Sequence, residues 1–280
     1  MANSDVPIPG SPLIFFFFIT LGFLIFTLFS IQNAKSIEDI EKAKDGSLLT
    51  IIYVCVLIIG SYFINSTVSK AICNSEAVRW SNILLATLLP WIIIFFSLFI
   101  ILKIFPGWIT PFSNTVGYVV ISILGVENTL TAILNKDANR NDDLAKAIAN
   151  ITHNKSNFIN QIDINKATFL TFIGDLKDAN IITLNKQEGD GDGDGEGAVA
   201  AAAGTNKELL TNPDIQNLYK LLVIKNVLGQ ITWYTLAGVL VSSVSYNYII
   251  NMSCDKSLEE ITTELNNAEA ASLDYAQRNS

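Results

Sequence analysis

Few residues of the kinds that usually carry chemistry occur in this chain. It has one histidine, His153, and three cysteines, Cys55, Cys73 and Cys254. No two cysteines have the C-x-x-C spacing, and this inventory does not supply the Cys/His ligands of an ordinary zinc site. No Ser-His-Asp set, glycine-rich phosphate loop or pair of carboxylates stands out. We therefore predict that the protein is not an enzyme and has no catalytic, cofactor-binding or metal-binding residues.

One acidic stretch has the pattern that opens a calcium-binding loop. Residues 190–195 read D-G-D-G-D-G, which matches D-x-D-x-D-G. The twelfth position of such a loop requires a bidentate glutamate, but Ala201 stands there. The repeated Gly-Asp of residues 189–197 also produces the pattern trivially, and alternating glycine and like charge is typical of a flexible linker. We expect a linker at 189–197 rather than a calcium site.

Four asparagines, Asn65, Asn150, Asn154 and Asn251, lie in N-x-S/T sequences that accept glycans in secreted proteins. Asn65 and Asn251 adjoin apolar segments, where access for the glycosylating enzyme is poor. The topology derived below places Asn150 and Asn154 in the cytosol. We expect these asparagines to be unmodified.

Long apolar segments are the dominant feature of the sequence. There are four: Leu13–Ile31, Leu48–Ile64, Ile83–Phe105 and Val227–Ile250. A helix needs about 20 apolar residues to cross a hydrocarbon core about 30 Å thick. The sequence therefore predicts an all-α membrane protein with about four transmembrane helices.

The composition supports this class and limits the partners. The chain is 50% hydrophobic and only 16% charged, with a mean hydropathy of +0.39, whereas soluble domains average about 25% charged residues. The net charge is −8, and no dense cluster of lysine and arginine occurs. Nucleic-acid binding usually requires a basic face, so we expect the lipid bilayer and not nucleic acid as a partner.

The first apolar segment is expected to be a retained anchor. The leader Met1–Pro12 contains no lysine or arginine, and the apolar stretch after it is longer than the core of a typical signal peptide. The many phenylalanines of the segment suit a surface that faces lipid. They suit close helix packing poorly, because such packing favours glycine, alanine and serine.

The third apolar segment and the residues after it contain a proline and several aromatic residues. Pro90 removes a backbone hydrogen bond and is expected to kink the helix. Trp91, Trp108 and Tyr118 are expected at the level of the lipid headgroups, where amphipathic aromatic rings concentrate.

Composition divides the chain into four parts. Residues 1–105 form a three-span membrane region, 106–226 a polar and amphipathic insertion with the acidic glycine-rich linker, 227–250 the fourth span, and 251–280 an acidic tail. Within the insertion, the apolar stretch 116–126 is short for a span and predicts an interfacial or re-entrant helix.

Three further helices are predicted in and after the insertion. Asn141 is a candidate N-cap for a helix whose apolar face comprises Leu144, Ala147, Ile148 and Ile151. A second helix is predicted from Asn165 to Leu176. Pro213 predicts the start of a third helix that continues without a break through the fourth span to Ile250.

Four spans place both termini, the loop 65–82 and the tail on one side of the membrane. The opposite side holds the loop 32–47 and the insertion, and it has more lysines near the membrane, so the positive-inside rule places it in the cytosol. Cys73 and Cys254 then lie on the same, non-cytosolic side, just past the ends of two spans. We therefore predict a possible disulfide between Cys73 and Cys254, with two unrelated thiols as the alternative, and expect Cys55 to be an inert core residue.

Charge is nearly absent from the four apolar segments. Only the third contains an Asp, Glu, Lys, Arg or His residue, which is Lys103 near its end. Ion-coupled transporters place ionisable groups within their spans, so their near-absence favours an anchor over a transport path. The serines at 242, 243 and 245 are expected to mediate helix packing.

Two parts of the chain suggest a family. The block Trp80–Gly125, and within it the element FPGWITPFSNTVGY, resembles multi-pass membrane and minor capsid proteins of large nucleocytoplasmic DNA viruses of the algal-virus type. The final span, YTLAGVLVSSVSYNYIINMSCDKS, is similar to theirs as well. The resemblance covers about a third of the chain and carries no catalytic residues.

The resemblance implies a structural protein of a virion. Such a protein would sit in the virion inner membrane, and in host endomembranes during assembly, and would anchor that membrane to the capsid shell through other capsid or membrane proteins. The alternative from the residues alone is a small channel or transporter in which the third and fourth spans line a path.

Overall fold

The computed structural model describes residues 11–44, 46–73, 80–135, 143–184 and 209–252. These residues contain helices, turns and one isolated β-bridge, but no strand, and the predicted all-α class is confirmed. The helices are α1 (Ser11–Asn33), α2 (Ile37–Lys44), α3 (Ser47–Cys73), α4 (Trp80–Ile104), α5 (Pro106–Ile123), α6 (Val126–Ile133), α7 (Asp143–His153), α8 (Lys155–Gln161), α9 (Lys166–Asp178) and α10 (Pro213–Met252).

The predicted spans form helices that are long and apolar enough to cross a membrane. Four such helices occur in the described ranges, and they contain α1, α3, α4 and α10. Many large apolar side chains on them point outward, among them Phe18, Ile59 and Ile92. An extended apolar surface of this kind is stable against hydrocarbon and not against water. The chain is therefore an integral membrane protein.

The phenylalanine-rich α1 packs closely on two neighbouring helices. Phe16 is fully buried, and a Cβ atom added to Gly238 of α10 would lie 2.0 Å from its ring. A Cβ atom added to Gly60 of α3 would lie 2.1 Å from the ring of Phe15. The expectation that α1 packs poorly is thus wrong for this face, because the partner helices contribute the glycines that close packing needs.

Pro90 changes the winding of α4. The residues that follow it, Trp91–Phe96, are π-helical, and Pro90 itself has no N–H to donate to the carbonyl of Ala86. The π-helical turn carries Trp91 into the protein interior, where its ring centroid lies 5.0 Å from that of Phe95. Trp91 is therefore enclosed by protein, and its headgroup level stays a prediction.

A sharp bend separates α5 from α6. The two helices meet at 78°, and together they meet the length and hydropathy requirements of a span, which would raise the number of spans to five. Gly125 at the bend has φ +90°, a left-handed conformation that glycine adopts without strain. The residues 116–126 thus contain the bend, and their interfacial or re-entrant position stays a prediction.

The helices predicted in the insertion are present. The apolar face of α7 is half-buried. Its residues Ile148 and Ile151 pack against a large apolar core that also contains Phe169 of α9. The proposed cap of this helix, Asn141, lies outside the described residues. Asn165 caps α9, because its Oδ1 accepts hydrogen bonds from two N–H groups of the first turn at 3.0 and 3.3 Å.

The last helix, α10, begins as predicted and runs for 40 residues. The Oδ1 of Asn212 accepts hydrogen bonds from the N–H groups of Asp214 and Ile215 at 3.0 and 3.1 Å, and Pro213 occupies the first helical position. Half of its apolar window, 50%, is buried inside the protein, against 28% or less for the other three candidate spans. The helix α10 is therefore the most enclosed of the four.

The described chain forms two compact units. The first unit contains residues 11–19, 52–73, 80–99 and 236–252, and the second contains 20–44, 46–51, 100–135, 143–184 and 209–235. Each of the helices α1, α3, α4 and α10 contributes residues to both units. The insertion helices α5 to α9 belong to the second unit, together with the first half of α10.

Each unit has its own apolar core. In the first unit, Val68, Ile83, Ala86 and Ile249 join the end of α3, the start of α4 and the end of α10. These three helix termini therefore lie together, as the four-span topology predicts. In the second unit, a larger core surrounds α10, and Phe169 of α9 is fully buried within it.

Candidate functional site

A buried lysine ties three helices of the second unit together. Lys225 of α10 is 3% exposed, and its Nζ donates hydrogen bonds to the Oδ1 of Asn114 on α5 at 2.9 Å and to the Oδ1 of Asn160 on α8 at 3.0 Å. Within the described ranges, amide oxygens and no carboxylate receive this ammonium group. A buried charge is costly unless it is hydrogen-bonded, so the two amides hold these helices in one arrangement.

The helices α5 and α10 touch backbone to backbone beside this lysine. A Cβ atom at Gly117 would lie 2.3 Å from the carbonyl oxygen of Lys225, and one at Gly229 would lie 2.6 Å from the backbone nitrogen of Ser113. Residues Ser113–Gly117 form a π-helical turn at this crossing. The close approach brings the side chain of Asn114 within reach of the lysine.

A second polar contact joins the loop helix α2 to α10. The Oη of Tyr219 lies 2.5 Å from the Oε1 of Glu41 and 2.9 Å from the carbonyl oxygen of Ile164, so one hydroxyl proton faces two acceptors. The Nζ of Lys44 lies 2.6 Å from the same Glu41 oxygen. We call Lys225, Asn114, Asn160, Tyr219 and Glu41 the polar junction.

Two exposed contacts add to the polar junction at its rim. Lys166 of α9 forms a salt bridge with Glu38 of α2 at 2.5 Å, and Lys220 of α10 donates to the carbonyl oxygen of Gln32 at 3.0 Å. An exposed ion pair such as Lys166–Glu38 contributes little to the free energy of folding. The two contacts do show that the loop 32–47 and the insertion lie side by side, as the topology predicts.

The first unit contains a hydrogen bond that compensates for Pro90. The carbonyl of Ala86 lacks its α-helical donor because Pro90 has no N–H, and the Oγ of Ser245 on α10 donates to this carbonyl at 2.9 Å. Both residues are buried. The predicted packing role of Ser245 is confirmed, whereas Ser243 donates to Val239 of its own helix.

A second polar pair lies within the spans of the first unit. The Nδ2 of Asn65 on α3 donates to the Oγ1 of Thr87 on α4 at 2.9 Å. Asn65 is 1% exposed, and its Oδ1 has no partner among the described residues. A glycan cannot be attached to so deeply buried an amide, whereas Asn150 and Asn154 are exposed.

The other residues singled out in the sequence are not brought together into a site. Cys55 is free and exposed on α3, so its assignment to the core is wrong. Cys254 and the side chain of Cys73 lie outside the described residues, and their disulfide stays a prediction. His153 is exposed at the end of α7. The acidic linker 189–197 also lies outside the described ranges, and within those ranges no cluster of possible metal ligands occurs.

The polar junction includes four residues that sequence reasoning did not single out: Asn114, Asn160, Tyr219 and Glu41. Each is an ordinary polar residue, and the partners are separated by 65 to 178 positions. In the topology prediction, Lys225 is only one of several lysines near the membrane on the side of the insertion. Its place between two apolar stretches of one helix is the signal that could have identified it as buried.

Comparison of the chain with protein-family models, with curated proteins and with solved structures finds no match in any of the three.

Proposed function

We propose that the protein is a structural integral membrane protein that holds a folded, partly polar surface beside the bilayer for neighbouring proteins to contact. The observation that carries the proposal is the unbroken helix α10. Its residues 213–235 lie in the second unit, and its residues 236–252 lie in the first. The helix that organises the core of the second unit is therefore the same helix that contains the fourth apolar segment, 227–250.

The length of α10 supports this role. At about 1.5 Å per residue the helix is about 60 Å long, which is about twice the thickness of the hydrocarbon core. Its apolar part, 227–250, accounts for the membrane crossing. The preceding turns carry Tyr219, Lys220 and Lys225, and they form the axis around which the insertion packs.

The bonding of the polar junction also favours an anchor over a transport path. Tyr219, Glu41, Lys225 and the two asparagines bond to one another or to the backbone, which fixes α2, α5, α8 and α10 in one arrangement. Transporters need elements that alternate between two arrangements, and they place ionisable groups along the path.

The proposed setting is a virion. The resemblance of Trp80–Gly125 and of the final span to membrane and minor capsid proteins of large DNA viruses supports a place in the membrane beneath a capsid. In that setting the spans anchor the protein in the inner membrane, and the second unit contacts proteins of the capsid shell.

Detergent stripping of purified particles that contain the full-length protein tests this function. We expect the protein to remain with the capsid after a non-ionic detergent has removed the lipid. The variant Lys225→Met should be retained less, because it disrupts the polar junction, and the matched variant Lys220→Met at the exposed rim should be retained like wild type. Complete extraction of the wild-type protein with the lipid would contradict the proposal.

Reconstitution in liposomes separates the proposal from the channel alternative. A structural anchor should leave the ion permeability of the liposomes at the level of protein-free liposomes. A conductance that scales with the amount of protein would favour the alternative.

A further inference from the structure

A groove of about 430 Å³ opens along α4 in the first unit. Its walls are the outward side of α4 and the last turns of α10, which contribute Val244, Tyr248 and Ile249. The lining is apolar except near one end, where Asn82 and Tyr248 lie. Four of its lining residues belong to the stretch around the proline: Ala86, Leu89, Pro90 and Ile93.

The proline and the alanine explain why a groove exists there. The π-helical turn after Pro90 directs Trp91 and Phe95 inward, so these large rings do not fill the outward side of α4. Ala86 contributes only a methyl group, and the hydrogen bond from Ser245 to its carbonyl holds α10 beside it. The result is a recess between two helices that are bonded to each other.

The length and polarity of the groove match one leaflet of a bilayer. Asn82 and Ile94 are separated by about 18 Å along the helix at about 1.5 Å per residue, and one leaflet contributes about 15 Å of hydrocarbon. Asn82 lies in the first turn of α4, and Tyr248 lies in the last turns of α10, where polar and aromatic residues meet the headgroups. The apolar remainder of the groove therefore runs from headgroup level toward the middle of the bilayer.

We propose that this groove binds one acyl chain of a phospholipid from that leaflet. The chain lies along Ala86, Leu89 and Ile93, and the ester region of the lipid lies beside Asn82 and Tyr248. A helix about 10 Å across fills on the order of 1400 Å³ over this length, about three times the volume of the groove, so it would not lie within the groove as an acyl chain can. The bound lipid covers Pro90, where the regular helix is interrupted.

Native mass spectrometry of the full-length protein tests the proposal. The protein is reconstituted in nanodiscs of dioleoyl phosphatidylcholine and transferred to a mild detergent, and the retained lipids are counted. The variants Leu89→Trp and Ile93→Trp fill the groove at positions that are 47% and 58% exposed. The control Ile59→Trp adds the same ring to α3 at a position that is 57% exposed and outside the groove.

We expect wild type and Ile59→Trp to retain one more phospholipid than Leu89→Trp and Ile93→Trp. Equal retention by all four proteins overturns the proposal. A dimer mass that the groove variants abolish also overturns it, because a second copy of the chain would then occupy the groove.

A conservative variant covers the case in which the tryptophan variants do not fold. Tyr248→Phe keeps the shape of the groove and removes only the hydroxyl group at its polar end. We expect this variant to lose the retained phospholipid at a lower collision energy than wild type does. An unchanged release energy contradicts the placement of the ester region at Tyr248.

Discussion

The hydrogen bond from Ser245 to the carbonyl of Ala86 gives a sharp prediction about the membrane-embedded packing. The variant Ser245→Ala removes the hydroxyl that donates to this carbonyl in place of the missing N–H of Pro90, and the buried carbonyl then lacks that bond. An unsatisfied buried polar group costs about 1–3 kcal/mol, and measured hydrogen bonds between membrane helices average about 0.6 and reach about 1.7 kcal/mol. We expect Ser245→Ala to lower the free energy of unfolding by about 1 kcal/mol.

A double-mutant cycle with Pro90→Ala isolates the compensation. An alanine at position 90 has an N–H that can donate to the carbonyl of Ala86, as in an ordinary α-helix. In that background the hydroxyl of Ser245 is no longer needed, so Ser245→Ala should cost only a few tenths of a kcal/mol. The coupling free energy between the two positions should therefore be about 1 kcal/mol.

The assay is unfolding of the full-length protein in mixed micelles by increasing sodium dodecyl sulfate, followed by helical circular dichroism. Ser243→Ala is the matched control, because the Ser243 hydroxyl bonds to Val239 of its own helix and is exposed; it should change stability by less than about 0.5 kcal/mol. Equal costs of Ser245→Ala with proline and with alanine at position 90 would refute the reasoning.

Three further changes test other contacts by thermal unfolding. Gly238→Ala places a methyl group 2.0 Å from the ring of Phe16 and should lower the free energy of unfolding by about 1–3 kcal/mol. The loss should be smaller in a Phe16→Leu background, and an equal loss there would refute the contact. Lys225→Met leaves the amide oxygens of the half-buried Asn114 and Asn160 without this donor and should cost about 1 kcal/mol. An unchanged melting temperature would contradict a stabilising role for these two hydrogen bonds. Asn65→Leu combined with Thr87→Val removes the polar pair together with the unpartnered amide oxygen and should be neutral or stabilising; a loss above about 1 kcal/mol would show that the amide oxygen has a partner.

The spans and the helix starts were predictable because their signals are local. Apolar length identifies α1, α3, α4 and α10, and short capping sequences identify where α9 and α10 begin. Asn165 acts within its own helix turn, and Asn212 and Pro213 do the same for α10. Such signals require no knowledge of which helices are neighbours.

The contacts between helices were not predictable, because they depend on pairing. The four phenylalanines at 15–18 are equivalent in the sequence, whereas in the structure the rings of Phe15 and Phe16 lie against Gly60 and Gly238 of other helices, and Phe16 is fully buried. The same holds for Trp91, whose burial follows from the π-helical turn. A proline within a span does indicate that a carbonyl four residues earlier needs a donor, but the sequence does not say which of several serines provides it.

The contacts of the polar junction were even less predictable from the sequence, because they depend on the pairing of four helices. Its partners come from α2, α5, α8 and α10, and each is unremarkable by itself. The prediction of a polar insertion identified the region without identifying its packing against α10. The helix α10 is the element that organises it, since the core of the second unit surrounds its first half.

Site-specific photo-crosslinking in intact particles tests the proposed anchoring role most directly. A photoreactive residue at His153, which is exposed on α7 of the second unit, is compared with one at Ile59, which is exposed on the span α3. The proposal predicts a crosslink from position 153 to a protein of the capsid shell and none from position 59. Crosslinks from position 153 that reach only lipid, or only other copies of this chain, would contradict it.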